Sequence, residues 1–208
     1  GSVLDPCAGT GIFSATAPEA GIVMHSVELD SVSGGINKAL FANGVNQVEV
    51  SNFEKVAASS NDELYDAVIT NVPFGDNKAR GKNKKDDARY QNESLEGYFI
   101  LRSLDKLKPN GLAVFMSGTK FITGRSCEKL RILASYKAEF MGAYRLPNKL
   151  FDSAGADVIT DVMVFKKHSL DAIAQIADLR DTDPAKLGDC GVLYDNFISG
   201  RYFSIDGA

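Results

Sequence analysis

The stretch Asp5-Pro6-Cys7-Ala8-Gly9-Thr10-Gly11 sets a carboxylate ahead of small residues and two glycines, between an apolar run and a helix-like segment. A turn of this kind lets backbone approach a ligand closely, and the helix that follows offers unpaired amides. It is not built for nucleotide phosphates. Ser14 stands where the dinucleotide fingerprint needs its third glycine, and no Lys-Ser/Thr pair follows as in a P-loop. Asp5, ending the strand, suits a cationic group instead. S-adenosylmethionine, which carries an ammonium and a sulfonium, is such a ligand. Glu28, near the end of the next apolar run, is placed to accept hydrogen bonds from both hydroxyls of a ribose. Asp30 is its competitor, but it precedes Ser31 and reads better as the cap of the following helix.

A second constellation, Asn71-Val72-Pro73-Phe74, closes the run that begins at Tyr65. An exocyclic amine on a heteroaromatic base is a poor nucleophile, because its lone pair is delocalised into the ring. A catalyst must hold it with acceptors that favour the developing tetrahedral nitrogen. The Asn71 side-chain oxygen and the Val72 carbonyl can each accept one N–H, Pro73 stiffens the turn, and Phe74 can stack on the base. The bland alternative is an ordinary strand-ending turn with Phe74 in the core. Two such turns at strand ends, separated by two strands with an acid on the first, argue against that alternative.

These residues need a scaffold, and the apolar pattern supplies one. Runs at Val3–Asp5, Val23–Leu29, Val45–Ser51, Tyr65–Thr70 and Leu112–Ser117 read as strands alternating with helices from Ile12, over Val32–Ala42 and over Ser94–Lys108. The turn Pro109-Asn110-Gly111 should stop the last of these helices. A helix over Glu128–Tyr136 leads to two more strands, Phe140–Arg145 and Val158–Lys167, expected to form an antiparallel edge pair. The fold class is therefore α/β: a mostly parallel sheet of about seven strands with helices on both faces.

Composition sets the outer bounds. With 208 residues, 44% hydrophobic and 24% charged, the chain suits one ordinary globular domain that needs no staples. Residues 1–167 read as the core and 168–208 as a C-terminal extension; the missing helix before the first strand suggests a fragment of a longer polypeptide. Three cysteines without paired spacing point to a reducing compartment, the cytosol, and to no metal. No apolar run reaches the roughly 18 residues that span a bilayer, so no membrane partner is expected. A net charge of -4 excludes a protein that coats nucleic acid with its whole surface. The local exception is Lys78, Arg80, Lys82, Lys84, Lys85 and Arg89 against Asp86 and Asp87, which reads either as a solvated loop or as a phosphate-contacting one. His25 and His168 read as structural, Cys7 needs no nucleophilic role, and Tyr98 and Phe99 fit core positions.

Val3 to Phe13 resembles motif I of amino-methyltransferases, and Asn71 to Phe74 resembles their motif IV, Asn/Asp-Pro-Pro-Tyr/Phe. Together they resemble the N6-adenine-specific DNA methyltransferases. The stretches Arg89-Tyr90 to Arg102, and Tyr144-Arg145-Leu146-Pro147 through Thr160-Asp161-Val162-Met163-Val164-Phe165, resemble the methylase domains of large phage and mobile-element proteins. The resemblance implies a Rossmann-like, S-adenosylmethionine-dependent methyltransferase fold. It also implies that Asp5, Pro6, Ala8, Gly9, Thr10 and Gly11 line the methionine part of the cofactor, Glu28 its ribose, and Asn52 and Phe53 its adenine. Asn71 to Phe74 would hold the target base of a DNA substrate, extruded from the duplex, as in restriction-modification enzymes. Two positions depart from the pattern. Val72 replaces the first proline, and Asn52 stands where many relatives carry Asp. The remaining alternatives are a base in RNA or a glutamine amide as acceptor, and a module that binds cofactor or DNA without turnover.

Overall fold

The computed structural model describes residues 1–17, 21–73, 89–90, 93–147 and 159–190. Along the chain run β1 (Ser2–Asp5), α1 (Ile12–Thr16), β2 (Val23–Glu28), α2 (Ser31–Phe41), β3 (Gln47–Val50), α3 (Phe53–Ser59) and β4 (Tyr65–Asn71). After them come α4 (Leu95–Lys106), β5 (Leu107–Gly118), α5 (Lys120–Thr123), α6 (Glu128–Ser135), β6 (Ala138–Arg145), β7 (Thr160–Lys167) and α7 (Leu170–Thr182). The strands form one sheet in the order β3-β2-β1-β4-β5-β7-β6. All described pairs are parallel except those of β7, which runs antiparallel to both β5 and β6. The expected antiparallel edge pair is therefore present, with β6 outermost. The sequence reversal of order at β1 and β4 is the switch point where α/β sheets bind ligands.

Alternation along β1 distributes the core. Leu4 joins Val27, Val68, α3 and α4 on one face, whereas Val3 joins Met24, Phe13 and Ala17 on the other. Helices thus pack on both faces. The larger face is aromatic: Phe165 meets the rings of Phe115, Phe121 and Phe140 at centroid distances of 5.8, 6.5 and 5.2 Å. Most of these helices start with a side-chain cap. Asp30, Asn52, Ser94 and Ser169 accept from the amides of Ser33, Lys55, Gly97 and Ala172.

Three elements depart from the sequence reading. Pro109-Asn110-Gly111 does not separate helix from strand; it forms a bulge inside β5, where pairing jumps from Tyr65↔Leu107 to Ala67↔Leu112 and Asn110 adopts a φ of 64°. Helices α3 and α7 were not expected. Buried cations support the helix ends: Lys106 Nζ donates to the carbonyls of Ala57, Ser60 and Asn61 at 2.9, 2.7 and 3.0 Å, and Lys167 Nζ to Leu104 O at 2.8 Å. Orphan carbonyls at helix C-termini favour such partners. Among the described residues no helix is long and apolar enough to cross a membrane.

Candidate active site

Strand β1 carries Asp5 to the carboxyl edge of the sheet and buries it to 1% exposure. Burial pushes its carboxyl up to about 7; the Thr70 hydroxyl and the Cys7 amide oppose the rise, and the Glu28 charge adds to it. The Cys7 amide donates to Oδ1 at 3.3 Å. Thr70 acts at longer range, since its Oγ1 has no hydrogen-bond partner. Among the described residues no cation contributes to the balance on Asp5. The same two carboxylates, with burial as the larger cause, push the Cys7 thiol up to about 12, which keeps it protonated. A buried carboxyl raised in this way at the switch point would be ionised by a cationic group brought beside it.

Glu28 makes two backbone contacts that the sequence reading did not foresee. Its Oε2 accepts from the Gly9 amide and its Oε1 from the Asp30 amide, both at 2.7 Å, so it pins the glycine turn to the end of β2. Each oxygen retains a lone pair for a ligand hydroxyl. Gly11 begins α1 at a φ of 95°, and a Cβ there would lie 2.6 Å from Asn37 Oδ1 and 2.7 Å from the Phe41 ring. Backbone conformation and space both require glycine. Asn37, fully buried on α2, donates to Gly9 O at 3.4 Å and leaves its Oδ1 without a partner.

These segments meet around a cavity of about 190 Å³. Its walls include Pro6 from the glycine turn, Glu28 from β2, Asn52 and Phe53 from the start of α3, Pro73 after β4, and Phe99 from α4. Residues from Pro6 to Phe99 in sequence thus share one mostly apolar slot. Phe53 is also a core residue, packed 5.2 Å from the Phe99 ring. Asn52 uses its Oδ1 to accept from the Lys55 amide at 3.2 Å, which leaves its amide hydrogens for a ring acceptor. Two larger open hollows, of about 440 and 370 Å³, contain none of the candidate residues.

Beside this slot, β1 and β4 are hydrogen-bonded neighbours, with Leu4 opposite Val68. Asp5 and Asn71 therefore emerge from adjacent strands at the same edge. The Asn71 Oδ1 is buried and has no hydrogen-bond partner among the described residues. Val72 is 1% exposed, and its amide donates to Met116 O at 2.8 Å, a bond that proline at this position could not make.

Not every expected residue lines the slot. Ala8 is buried, its amide bonded to Val27 O at 3.0 Å, and Thr10 is exposed. Phe74 lies outside the described residues, as do Lys78, Arg80, Lys82, Lys84 and Lys85. Arg89 is described and does not stand free for phosphate: its Nη1 binds Asp62 Oδ2 at 2.6 Å. Asp62 is held well below the usual carboxylate range by Arg89 and Arg102, against the opposing effect of its burial. His25 is structural, bonded to Tyr65 and, at 2.6 Å, to Glu49, and His168 bonds Ser135 O at 2.8 Å. Thr70 and Asn37 were not among the expected residues, and Phe99, read as a core position, both packs in the core and lines the slot. For Thr70 the available signal was its place one residue before Asn71.

Comparison with known proteins bears on this arrangement. Residues 22–151 match the family model of the Eco57I restriction-modification methylase. The chain is 38% identical over 208 residues to the Defense against restriction protein B of Escherichia phage P1, and it spans 9% of that protein's length. A Listeria monocytogenes protein described as a class I S-adenosylmethionine-dependent methyltransferase superposes with a TM-score of 0.66 at 18% identity, over 82% of this chain and 54% of the other. A protein of Vibrio vulnificus YJ016, described as a modification subunit of a type I restriction enzyme, superposes with a TM-score of 0.67 at 18% identity, over 81% and 40%. The fold is thus the Rossmann-like one of S-adenosylmethionine-dependent methyltransferases. With more than half its length matched by one family model, the chain belongs to the Eco57I restriction-modification methylase family.

Proposed function

We propose that the chain is a catalytic domain that transfers a methyl group from S-adenosylmethionine to the exocyclic N6 of adenine in DNA. The observation that carries this reading is the buried Asn71 Oδ1, which has no hydrogen-bond partner among the described residues and sits on the strand next to the buried Asp5. A buried acceptor left unsatisfied is destabilising, and it persists where a ligand supplies the donor.

The residues fit the cofactor. Asp5 would hold its ammonium, Glu28 its ribose hydroxyls, and the slot between Pro6, Phe53 and Phe99 its adenine, with an Asn52 amide hydrogen for a ring nitrogen. When bound, the cofactor supplies a methyl group activated by the sulfonium. Asn71 Oδ1 and the Val72 carbonyl would accept the two amino hydrogens, drawing the nitrogen lone pair out of the ring and aiming it at the methyl carbon. As the N–C bond forms and the C–S bond breaks, these oxygens stabilise the positive charge growing on the nitrogen. The extra proton would then leave towards solvent from the nitrogen held by Asn71 and Val72. Cys7, kept protonated, takes no part.

DNA as substrate draws support from the family and from the relatives' descriptions, a restriction enzyme's modification subunit and a phage protein of defence against restriction. Because the chain spans 9% of the phage relative, other domains of a longer polypeptide are proposed to supply sequence recognition, with this chain as a single domain among them. The segment holding Lys78 to Lys85 is proposed to contact phosphates. The test is Asn71→Ala. Titration calorimetry should give unchanged cofactor affinity, while labelled methyl transfer to DNA falls on the order of 10²- to 10³-fold, the usual penalty for removing one polar group that stabilises a transition state. Transfer at the wild-type rate in this variant overturns the reading.

A further inference from the structure

The pair Arg145 and Asp161 lies at the same carboxyl edge as Asn71 and is not used by the chemistry above. Pairing places it there: Asn71 is opposite Met116, Ser117 opposite Asp161, and Asp161 opposite Arg145. Arg145 is three strands from Asn71, or about 14 Å at about 4.8 Å per strand. Asp161 is 2% exposed, whereas the Arg145 side chain is 48% exposed. The guanidinium is clamped. Its Nε donates to Asp161 Oδ1 at 2.9 Å, its Nη2 to Asp161 Oδ2 at 3.1 Å, and Nη2 also bonds the Thr119 hydroxyl. Of five N–H donors, the two on Nη1 have no partner among the described residues. A planar fork fixed on one side and open on the other is pre-organised for an oxygen anion. A further exposed basic residue, Arg125, lies seven residues beyond the end of β5.

We propose that Arg145 contacts a backbone phosphate of the nucleic acid whose base enters the Asn71 cleft, an inference that rests on the reading of the site as a nucleic-acid methyltransferase. A base extruded from a duplex leaves its backbone lying across the edge through which it enters. Arg145 stands on that edge in a fixed orientation, with two donors available. It is a binding residue rather than a catalytic one. The competing explanation is that Arg145 serves only as counter-ion to the buried Asp161.

The experiment compares the chain with Arg145→Gln and with the double variant Arg145→Gln/Asp161→Asn, which removes the buried charge along with its partner. Binding of a fluorescent mixed-sequence DNA duplex is measured across a salt series, with melting temperature and cofactor affinity taken in parallel. The proposal expects both variants to bind the duplex about tenfold more weakly, with the slope of log affinity against log salt reduced by about one. Cofactor affinity should be unchanged, and melting temperature should drop in the single variant and recover in the double. If the double variant regains duplex affinity together with stability, Arg145 is only a counter-ion and the proposal is overturned. Wild-type affinity and slope in the single variant overturn it as well. If the wild-type chain transfers methyl to DNA while either of these results holds, the proposal fails alone; if the wild type neither binds nor methylates the duplex, the nucleic-acid reading fails with it.

Discussion

At the scale of single residues the site is organised around two unmet needs, a carboxylate without a cation and an amide oxygen without a donor. The first makes a pH prediction. Asp5 ionises at about 7 in the ligand-free fold, so the ionised form that an ammonium requires grows as pH rises through that value. Below it, cofactor affinity should fall about tenfold per pH unit, and calorimetry between pH 5.5 and 8 checks this as an order-of-magnitude slope. Asp5→Asn should bind weakly and without that slope. Linkage has the opposite sign for stability. With its value raised above that of the unfolded chain, Asp5 favours the ligand-free fold below the ordinary carboxylate range and loses that contribution as pH rises through about 7. Asp5→Asn should therefore raise ligand-free stability at pH 8 by on the order of a few kcal/mol in denaturant melts. An equal melt for variant and wild type contradicts this. Asp5, Glu28 and Asn71 were legible in the sequence because each ends or nearly ends an apolar run, and strand ends are where such sheets bind ligands. The bonds of Glu28 to the Gly9 and Asp30 amides were not legible, since they depend on two amides brought together by folding.

At the scale of elements, the glycine turn works because α1 and α2 pack closely behind it. Gly11→Ala would force a side chain into a φ of 95° with its Cβ 2.6 Å from Asn37 Oδ1. The expected loss is about 1–3 kcal/mol from backbone strain alone, a melting-temperature drop of roughly 2–4 °C per kcal/mol in a chain of this size. Cofactor affinity should fall with it, because the Gly9 amide and Glu28 move together; a variant with native melting and affinity would refute that coupling. Periodicity revealed the strands of the sheet and the helices α1, α2, α4 and α6. It missed α3, whose apolar Phe53, Val56 and Ala57 fall at helical spacing over only seven residues, and α7, which buries Ile176 alone among its residues. It misplaced the bulge in β5, because Pro-Asn-Gly signals a local reversal equally well inside a strand and before one.

At the scale of the whole molecule, the fold brings residues 5 and 71 onto neighbouring strands and residues 6, 28, 52 and 73 around one slot. That convergence could only be guessed from the sequence, by assuming a strand order that puts β1 beside β4. Arg89 is engaged by Asp62, whereas Arg145, half-exposed at the carboxyl edge of the sheet, is the described cation placed to meet an anionic partner there. The central claim is that this edge presents an adenine amine to an activated methyl group. It is tested most directly by incubating the chain with DNA and isotopically labelled S-adenosylmethionine, digesting the product to nucleosides and identifying the labelled species by mass. The account predicts N6-methyladenine from the wild type and its loss in Asn71→Ala; label found only in N4-methylcytosine, or in no nucleoside at all, would contradict it.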